Sequence, residues 1–297
     1  MNKETILLNT ETFLHSKKIY LITLDKVEEF SYRINEGVGD MARLAGINYI
    51  WDAPEERVVE EQINVINNAV LNGADLIMLA ALDPIRVSSA VREAKESGVG
   101  IIYVDAPADE EAIVTLSTDN YSAGRLAGQL MINELQEEGI FEGSIGVVGV
   151  SPEIVTTMNR QYGFYDIIVQ DGRYRLLETQ YAQGNPIIAQ SIVETYINEN
   201  PDLVGVFGTN EGATIGMGYA LMASNRPIVG IGFDVTDIIR DMLDAAVIKA
   251  VLMQNPYTMG YLGMALAIAA LTGRETGPSF INTGVSIVTR YMRRIVV

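Results

Sequence analysis

Short apolar runs alternate with helical patterns along nearly the whole of this 297-residue chain, beginning at Lys17. Leu76–Leu79, for example, is an apolar run of strand length, residues 84–97 form a helical pattern, and Gly100–Val104 is the next apolar run. This alternation is typical of a parallel sheet whose strands are connected by crossover helices. One series of such units runs to Asp119 and a second follows it, which predicts two similar α/β domains with a cleft between them.

Polar side chains follow several of these apolar runs. Asp234 ends the run that begins at Ile228, Asp105 ends the run from Ile101, and Asn210 follows the run from Val204. Because ligands of open α/β sheets bind at the carboxyl ends of the strands, residues in these positions are site candidates. The full set is Asp25, Asp105, Thr118, Asn210, Asp234 and Gln254, with Arg160 early in the helix that follows Val150.

The chemistry of this set suits a hydroxylated ligand. Carboxylate, amide and guanidinium groups form the paired hydrogen bonds that vicinal hydroxyls need. Aromatic residues also fall at or near strand ends, where a flat ring can stack on the C–H face of a sugar. They are Phe30, Trp51, Tyr103, Tyr181 and Phe233.

Structural roles are the alternative for every one of these residues. Asp105 and Asp234 can be helix caps, Arg160 a surface ion pair, and Asn210 and Gln254 amides that brace loops. The aromatic residues can belong to the hydrophobic core. The pattern of residues alone leaves both alternatives open.

Composition excludes several function classes. A formal charge of −17, from 38 acidic and 21 basic residues, opposes binding to nucleic acid and to anionic membrane surfaces. The absence of cysteine and the single histidine, His15, leave no thiolate or histidine-rich metal site. We therefore expect no metal and no cofactor.

Enzyme motifs are missing as well. The chain has no nucleophile elbow and no Gly-rich phosphate loop, since Gly146–Gly149 lacks the required glycine spacing. We therefore expect a binding protein and not an enzyme.

No apolar run reaches the length of a membrane span, and residues 1–16 lack the pattern of a signal peptide. The chain is accordingly either cytoplasmic or the mature form of an exported protein.

Six short motifs occur in a characteristic order. They are Tyr103–Asp105, Ser117–Asn120 followed by Gly124, Asn159–Phe164, Val206–Asn210, Gly230–Asp234 and Gln254–Pro256. In this order, the motifs resemble those of the periplasmic sugar-binding proteins of ABC transporters, of the ribose-binding type. The effector domains of lactose-repressor-like regulators share their fold. The resemblance is collinear from about Lys18 to Thr289.

The resemblance implies a type I periplasmic binding fold, with two Rossmann-like (flavodoxin-like) parallel-sheet lobes joined by a three-segment hinge. The N-terminal lobe is expected at residues 17–118 and 256–277, and the C-terminal lobe at residues 119–255 and 278–297. The chain would then cross between the lobes near Asp119, near Asn255 and within residues 277–281.

The resemblance also implies residue roles. Family members use the positions of five residues here to hydrogen-bond sugar hydroxyls, namely Asp105, Arg160, Asn210, Asp234 and Gln254. The aromatic residue at the position of Phe233 packs on the sugar ring, and Phe30 aligns with one of two stacking phenylalanines. Asp25, Thr118 and Tyr181 complete the predicted ligand-binding set. Asp25 lies in the first βα loop, where it can replace contacts that this chain lacks.

Three departures from the family pattern lie in the N-terminal half. Ser31 stands at the second stacking position, Ala106 where an arginine usually follows the first aspartate, and Ala80 where an asparagine is expected. Losing these contacts makes that side of the pocket larger and less polar. The ligand expected is therefore a larger, deoxy or otherwise less hydroxylated sugar.

The function implied is that of an extracytoplasmic solute-binding protein. It would be a periplasmic or cell-surface monomer that closes on a small sugar and delivers it to the membrane permease of an ABC transporter or to a sensor such as a chemoreceptor. The alternative is the effector-binding domain of a lactose-repressor-like regulator. That alternative requires a DNA-binding module ahead of Lys17, and sixteen residues cannot hold one. Nucleic acid is not an expected partner.

Overall fold

A computed structural model of the protein describes residues 13–291. The strands are β1 (Ile19–Ile22), β2 (Tyr49–Asp52), β3 (Leu76–Leu79), β4 (Gly100–Val104), β5 (Val114–Ser117), β6 (Gly143–Gly149), β7 (Tyr174–Leu176), β8 (Gln180–Tyr181), β9 (Leu203–Gly208), β10 (Val229–Phe233), β11 (Ala250–Gln254), β12 (Phe280–Asn282) and β13 (Val285–Thr289). The helices are α1 (Glu29–Ala45), α2 (Val59–Leu71), α3 (Ser88–Glu96), α4 (Asn120–Glu137), α5 (Val155–Asp171), α6 (Pro186–Glu199), α7 (Glu211–Ala223), α8 (Asp237–Asp244) and α9 (Pro256–Leu271).

The chain divides into two compact units. Unit 1 ends at Thr118 and resumes over Asn255–Gly284, whereas unit 2 comprises Asp119–Gln254 and resumes at Val285. Each unit has its own sheet and its own hydrophobic core. Among residues 13–291, no helix combines the length and the apolar sequence that crossing a membrane requires.

The sheet of unit 1 is parallel and has the strand order β2-β1-β3-β4-β5-β12. The first five strands follow the flavodoxin-like order, in which the direction of winding reverses between β1 and β3. Strands β1 and β3 are buried along their whole length because helices cover both faces of the sheet. Strand β2 lies at the edge and is partly exposed.

Alternate residues of β1 enter the two halves of the unit 1 core. Ile19 and Leu21 pack in the cluster that contains residues of α1 and α9, and Ile22 packs in the cluster that contains residues of α2 and α3. This separation follows from the two-residue period of a strand, which places successive side chains on opposite faces of the sheet.

The sheet of unit 2 repeats the arrangement with the order β7-β6-β9-β10-β11-β13, and β8 also pairs with β6. Its strands are parallel except for β13, which pairs with β11 in the antiparallel direction. Helices α4 and α5 contribute to the cluster on one face of the sheet, and α6, α7 and α8 contribute to the cluster on the other.

The sequence over residues 174–181 predicts one continuous strand, but the structure divides it into β7 and β8. The hydroxyl group of Tyr196 causes the break. Its single proton is shared between the carbonyl oxygens of Val147 and Glu178, and its oxygen accepts the backbone N–H of Gln180. The tyrosine hydroxyl thus replaces the ladder hydrogen bonds between the two short strands.

The third passage between the units lies later in the chain than expected. Residues 280–282 form β12, which pairs with β5 in the sheet of unit 1, so the chain passes into unit 2 only after Gly284. Asn255 likewise falls in unit 1 and not at the end of the C-terminal lobe. Strand β12 is a three-residue edge strand with exposed residues, which explains why no apolar pattern indicated it. Residues 292–297, also assigned to the C-terminal lobe, lie outside the described residues.

Candidate functional site

The carboxyl ends of β9, β10 and β11 bring together three of the predicted site residues in unit 2. Asn210 caps the helix that follows β9, Asp234 directly follows β10, and Gln254 is the last residue of β11. The Nε2 atom of Gln254 donates to Oδ1 of Asp234 over 3.0 Å. The strand ends therefore form one cluster of amide and carboxylate groups.

Asp234 adopts an unusual backbone conformation, with φ of 68°. Non-glycine residues are uncommon in this left-handed region, although aspartate and asparagine tolerate it better than other residues. The backbone N–H of Asp234 donates to the carbonyl oxygen of Leu252 over 2.9 Å, which continues the pairing with β11 past the end of β10. Its carboxylate accepts the backbone N–H of Glu211, the first residue of α7.

Burial raises the pKa of Asp234 above its ordinary value, while the nearby charge of Arg160 and the hydrogen bonds from Gln254 and Glu211 act in the opposite direction. Desolvation is the largest of these effects. The carboxylate is thus held in place by donors but lacks full compensation for its charge. A ligand that supplied further donors would stabilise the ionised form.

Arg160 is a buried cation, with 3% of its surface exposed. Its Nε donates to Oδ1 of Asn120 over 2.8 Å, and its Nη1 donates to the carbonyl oxygen of Thr209 over 2.9 Å. The guanidinium carbon lies 4.1 Å from the ring centroid of Phe233. These contacts rule out the alternative of a surface ion pair, because hydrogen bonds and an aromatic face hold the charge inside unit 2.

The close crossing of α4 and α5 fixes where Arg160 lies. A Cβ atom added to Gly124 would lie 2.0 Å from the carbonyl oxygen of Arg160. Only glycine allows this approach, so Gly124 determines how closely the backbone of α5 at Arg160 packs against α4.

Phe233 is fully buried, with 0% of its surface exposed. Its ring centroid lies 6.0 Å from that of Phe207, which stacks on Phe164 at 4.4 Å. Phe233 is therefore the end of an aromatic column that supports the guanidinium group of Arg160. The direct contact expected between Phe233 and a sugar ring stays a prediction.

Asn210 is the N-cap of α7, where its Oδ1 accepts the backbone N–H of Ala213 over 3.1 Å. Asn210 therefore has a structural role as a helix cap, which differs from the loop-bracing role considered as its alternative. Capping uses the Oδ1 atom, and the side chain is partly exposed. The contact of Asn210 with a ligand stays a prediction.

In unit 1, Asp105 directly follows β4 and also has a positive φ, of 69°. Its backbone N–H donates to the carbonyl oxygen of Leu116 over 2.8 Å, and its side chain is buried. Thr118 is buried at the end of the first segment of unit 1. Phe30 lies on α1 and packs against the core of unit 1. Their contacts with a ligand stay predictions.

Asp25 has a structural role that the sequence did not indicate. Its Oδ1 accepts the backbone N–H groups of Val27 and Glu28, each over 2.8 Å, and its Oδ2 accepts Nε of Arg57 over 2.9 Å. Burial acts to raise the pKa of Asp25, but the charge of Arg57 and these hydrogen bonds outweigh it and hold the pKa below its ordinary value. Asp25 shapes the first βα loop, and a ligand contact would have to compete with these bonds.

Tyr181 lies in β8, where its hydroxyl group donates to Sδ of Met158 over 3.7 Å. The ring of Tyr181 also lies over Gly149, where an added Cβ atom would lie 2.7 Å from it. The structure thus gives Tyr181 a packing role beside the end of β6. Its contact with a ligand stays a prediction.

The family departures in unit 1 are all buried, with Ala80 1% exposed, Ser31 3% and Ala106 7%. Gln62 braces the loop after β3, since its Nε2 donates to the carbonyl oxygen of Ala80 and its Oε1 accepts the N–H of Leu82, both over 2.8 Å. We did not predict Gln62. The signal available was a polar residue on the otherwise apolar stripe of α2.

Other residues that support the site also escaped prediction. Asn120 and Thr209 orient Arg160, and Arg57 holds Asp25. Asn120 and Thr209 lie within two of the six motifs, but nothing in the motifs indicates that they orient Arg160, and Arg57 lies in none of the motifs. Among the described residues, no group of three or more acidic or histidine side chains is placed to hold a metal ion.

A family model described as a periplasmic binding protein domain matches residues 19–275. A D-apiose import binding protein from Paraburkholderia graminis is 27% identical over 227 residues, which cover 75% of this chain and 68% of the relative.

Two solved structures resemble the chain over nearly its whole length. An ABC transporter solute binding protein from Agrobacterium vitis with bound D-fucose is 28% identical, with a TM-score of 0.85 over 92% of this chain and 95% of that one. A carbohydrate transporter solute binding protein from Agrobacterium radiobacter in complex with D-arabinose is 26% identical, with a TM-score of 0.88 over 92% and 94% of the two chains. The two flavodoxin-like sheets therefore form a type I periplasmic binding fold, and the chain belongs to the periplasmic binding protein family.

Proposed function

We propose that this chain is an extracytoplasmic solute-binding protein that captures a monosaccharide or a related polyol for an ABC transporter. The observation that carries the proposal is the cluster at the strand ends of unit 2. There, Asp234 and Gln254 are hydrogen-bonded to each other and Asn210 follows the adjacent strand. The relatives named above are import or transport proteins, two of them with a bound monosaccharide, which agrees with this chemistry.

The cluster offers both kinds of hydrogen-bonding group that a sugar needs. Asp234 accepts hydrogen bonds, while the amides of Asn210 and Gln254 both donate and accept them. Arg160 adds a positive charge that is close enough to lower the pKa of Asp234. An analogue that lacks one matching hydroxyl would leave a buried polar group without a hydrogen bond, and its binding free energy would be less favourable by about 1–3 kcal/mol. Specificity would follow from that penalty.

Unit 1 would set which sugar is preferred. Ala80 and Ala106 present methyl groups where the family resemblance leads one to expect an amide and a guanidinium. Asp105 is the retained carboxylate on this side. We therefore propose a ligand with fewer hydroxyls to satisfy in unit 1, such as a deoxy sugar, or a larger sugar that fills the extra space.

Binding would be coupled to closure of the two units. Contacts that a sugar makes with both units exist only in a closed state, so the ligand stabilises that state by its differential affinity. A closed, loaded monomer in the periplasm or at the cell surface would then be the form that a permease or a membrane sensor recognises. No step of this proposal requires covalent chemistry, so we propose a binding protein without enzymatic activity.

A thermal-shift screen tests the proposal. D-Arabinose, D-fucose and D-apiose would be compared with their polyols and with amino acids, each at millimolar concentration. A ligand at 100 times its dissociation constant adds about 2.7 kcal/mol of stability, which raises the melting temperature by several degrees. A shift with at least one sugar and none with amino acids is expected. A shift with amino acids alone, or with none of the sugars, would contradict the proposal.

A further inference from the structure

The hydroxyl group of Thr214 lies within hydrogen-bond distance of the backbone of Phe233, the last residue of β10. Thr214 lies in the first turns of α7 and is fully buried, with 0% of its surface exposed. Its Oγ1 accepts the backbone N–H of Phe233 over 2.9 Å. The same atom lies 3.0 Å from the carbonyl oxygen of Phe233 and 2.8 Å from the carbonyl oxygen of Asn210, and its single proton is shared between these two acceptors.

This hydroxyl takes the place of the hydrogen-bond partners that a longer β9 would offer to Phe233. The ladder between β9 and β10 ends at the pair Phe207 and Ile231, whereas β10 continues to pair with β11 as far as Phe233. On the side that faces away from β11, the N–H and carbonyl groups of Phe233 would have no ladder partner. Thr214 supplies one, because its hydroxyl both accepts and donates.

Packing leaves little freedom for the position of this hydroxyl. A Cβ atom added to Gly232 would lie 2.4 Å from Cγ2 and 2.5 Å from Oγ1 of Thr214. The threonine side chain therefore rests directly on the backbone of β10. A shift of α7 along its axis would carry Asn210 with it and would break both contacts between Thr214 and Phe233.

We infer that Thr214 is a positioning residue for sugar binding, which holds Asn210 and the Phe233–Asp234 turn in a fixed mutual geometry. The inference rests on the proposed function. The hydroxyl group of Thr214 links Asn210, the cap residue of α7, to the backbone of Phe233, whose ring supports Arg160. Asp234 follows immediately, and its carboxylate accepts the N–H of Glu211 from the same helix end. Thr214 itself contacts no ligand in this scheme.

Three variants separate the hydroxyl from its packing. Thr214→Val keeps the shape and removes the hydroxyl, Thr214→Ser keeps the hydroxyl and removes a methyl group, and Thr214→Ala serves if the valine variant does not fold. Thr272→Val is the matched control. Thr272 makes the same kind of bond, from Oγ1 to the carbonyl oxygen of Ile268 over 2.8 Å, at the end of α9 in unit 1.

The first readout needs no ligand. The protein contains seven phenylalanines, so labelling with ¹⁵N-phenylalanine gives few amide signals, and the exchange of each with deuterium can be followed separately. The amide of Phe233 should exchange at least tenfold faster in Thr214→Val than in the native protein. It should stay protected in Thr214→Ser and Thr272→Val, and the other phenylalanines report global stability in every sample.

The second readout is calorimetric affinity for D-arabinose, D-fucose and D-apiose. Thr214→Val should lower the affinity for whichever of these sugars binds the native protein by at least tenfold. Thr214→Ser should retain most of the native affinity. Unchanged exchange at Phe233, or equal loss of affinity in the valine and serine variants, would overturn the inference. Failure of the native protein to bind any of the sugars would instead contradict the proposed function, and the exchange rates would still decide whether Thr214 holds the strand end.

Discussion

Asp105 in unit 1 and Asp234 in unit 2 have the same local backbone geometry. Each directly follows a buried strand, their φ angles are 69° and 68°, and each donates its N–H to the carbonyl oxygen of the next strand, over 2.8 and 2.9 Å. The two units thus repeat not only their strand order but also a strained turn. Such strain concentrates at functional sites, so this repetition supports a ligand-binding role for both carboxylates.

Removing the charge of Asp234 should weaken sugar binding. Asparagine tolerates a positive φ and can still accept a hydrogen bond from Gln254, so Asp234→Asn changes the charge with little change of shape. We expect affinity to fall by at least tenfold in calorimetry. Asp244→Asn, an exposed change at the end of α8, is the control and should leave affinity unchanged. Equal affinities in all three proteins would remove Asp234 from the site.

The same variant should be more stable than the native protein in the absence of sugar. Because the pKa of Asp234 is raised in the folded state, its contribution to stability is present below the ordinary carboxyl pKa and is lost as pH rises through the folded value. At neutral pH the ionised carboxylate therefore lowers the free energy of unfolding. Urea denaturation should show Asp234→Asn to be the more stable protein at pH 7, with the difference closing below about pH 4. A difference in stability that stays the same from pH 7 to pH 4 would contradict the raised pKa.

Asp25 should show the opposite pH dependence. Its pKa is lowered in the folded state, so its contribution is present above the ordinary carboxyl pKa and is lost as pH falls through the folded value. Asp25→Asn should therefore be less stable than the native protein at pH 7, because Arg57 loses a charged partner. Urea titrations from pH 7 to pH 3 should show this deficit shrinking. A deficit that does not change with pH would indicate that packing, and not charge, explains the loss.

The turn at Asp105 should discriminate against β-branched residues. Valine at a positive φ brings its Cβ atom close to the backbone, which costs about 1–2 kcal/mol. Asp105→Val should therefore unfold at a lower urea concentration than Asp105→Asn. The control is Asp109→Val, at an exposed position without a positive φ. The turn carries no strain if valine and asparagine prove equally stable at position 105.

Lysine should not replace Arg160. A lysine ammonium lacks the planar fork that reaches Asn120 and Thr209 together while lying on the ring of Phe233. Arg160→Lys should lower sugar affinity more than tenfold and the free energy of unfolding by about 1–3 kcal/mol. Arg125→Lys, at a partly exposed position on α4, is the matched control. Native-like affinity in Arg160→Lys would show that the guanidinium geometry is unimportant.

The main elements of the fold could be predicted because parallel sheets buried on both faces need continuous apolar strands. Strands such as Leu76–Leu79 and Gly100–Val104 were predicted with their observed limits. The strand over residues 174–181 was not, because its interruption depends on the hydroxyl group of Tyr196, which lies on a helix further along the chain. Edge strand β12 was missed because its side chains are largely exposed and show no apolar pattern.

Prediction of the site had a similar limit. Asp234 and Gln254 could be identified because each stands at the end of an apolar run, and parallel strands end at a common edge. The same reasoning did not find Thr214, which lies inside an apolar helix and acts only through the backbone of another element. It also assigned Asp25 to the ligand without indicating that Arg57 holds it.

The sequence by itself therefore determined the two α/β units, the strand ends that carry polar groups, and the family. These properties follow from local periodicity and from motifs that lie within a few residues of each other. The tertiary structure decided how each polar group is used. Whether a carboxylate such as Asp25 or Asp234 keeps its charge, and at what cost, depends on burial and on partners distant in the chain, and only the packed fold brings these partners together.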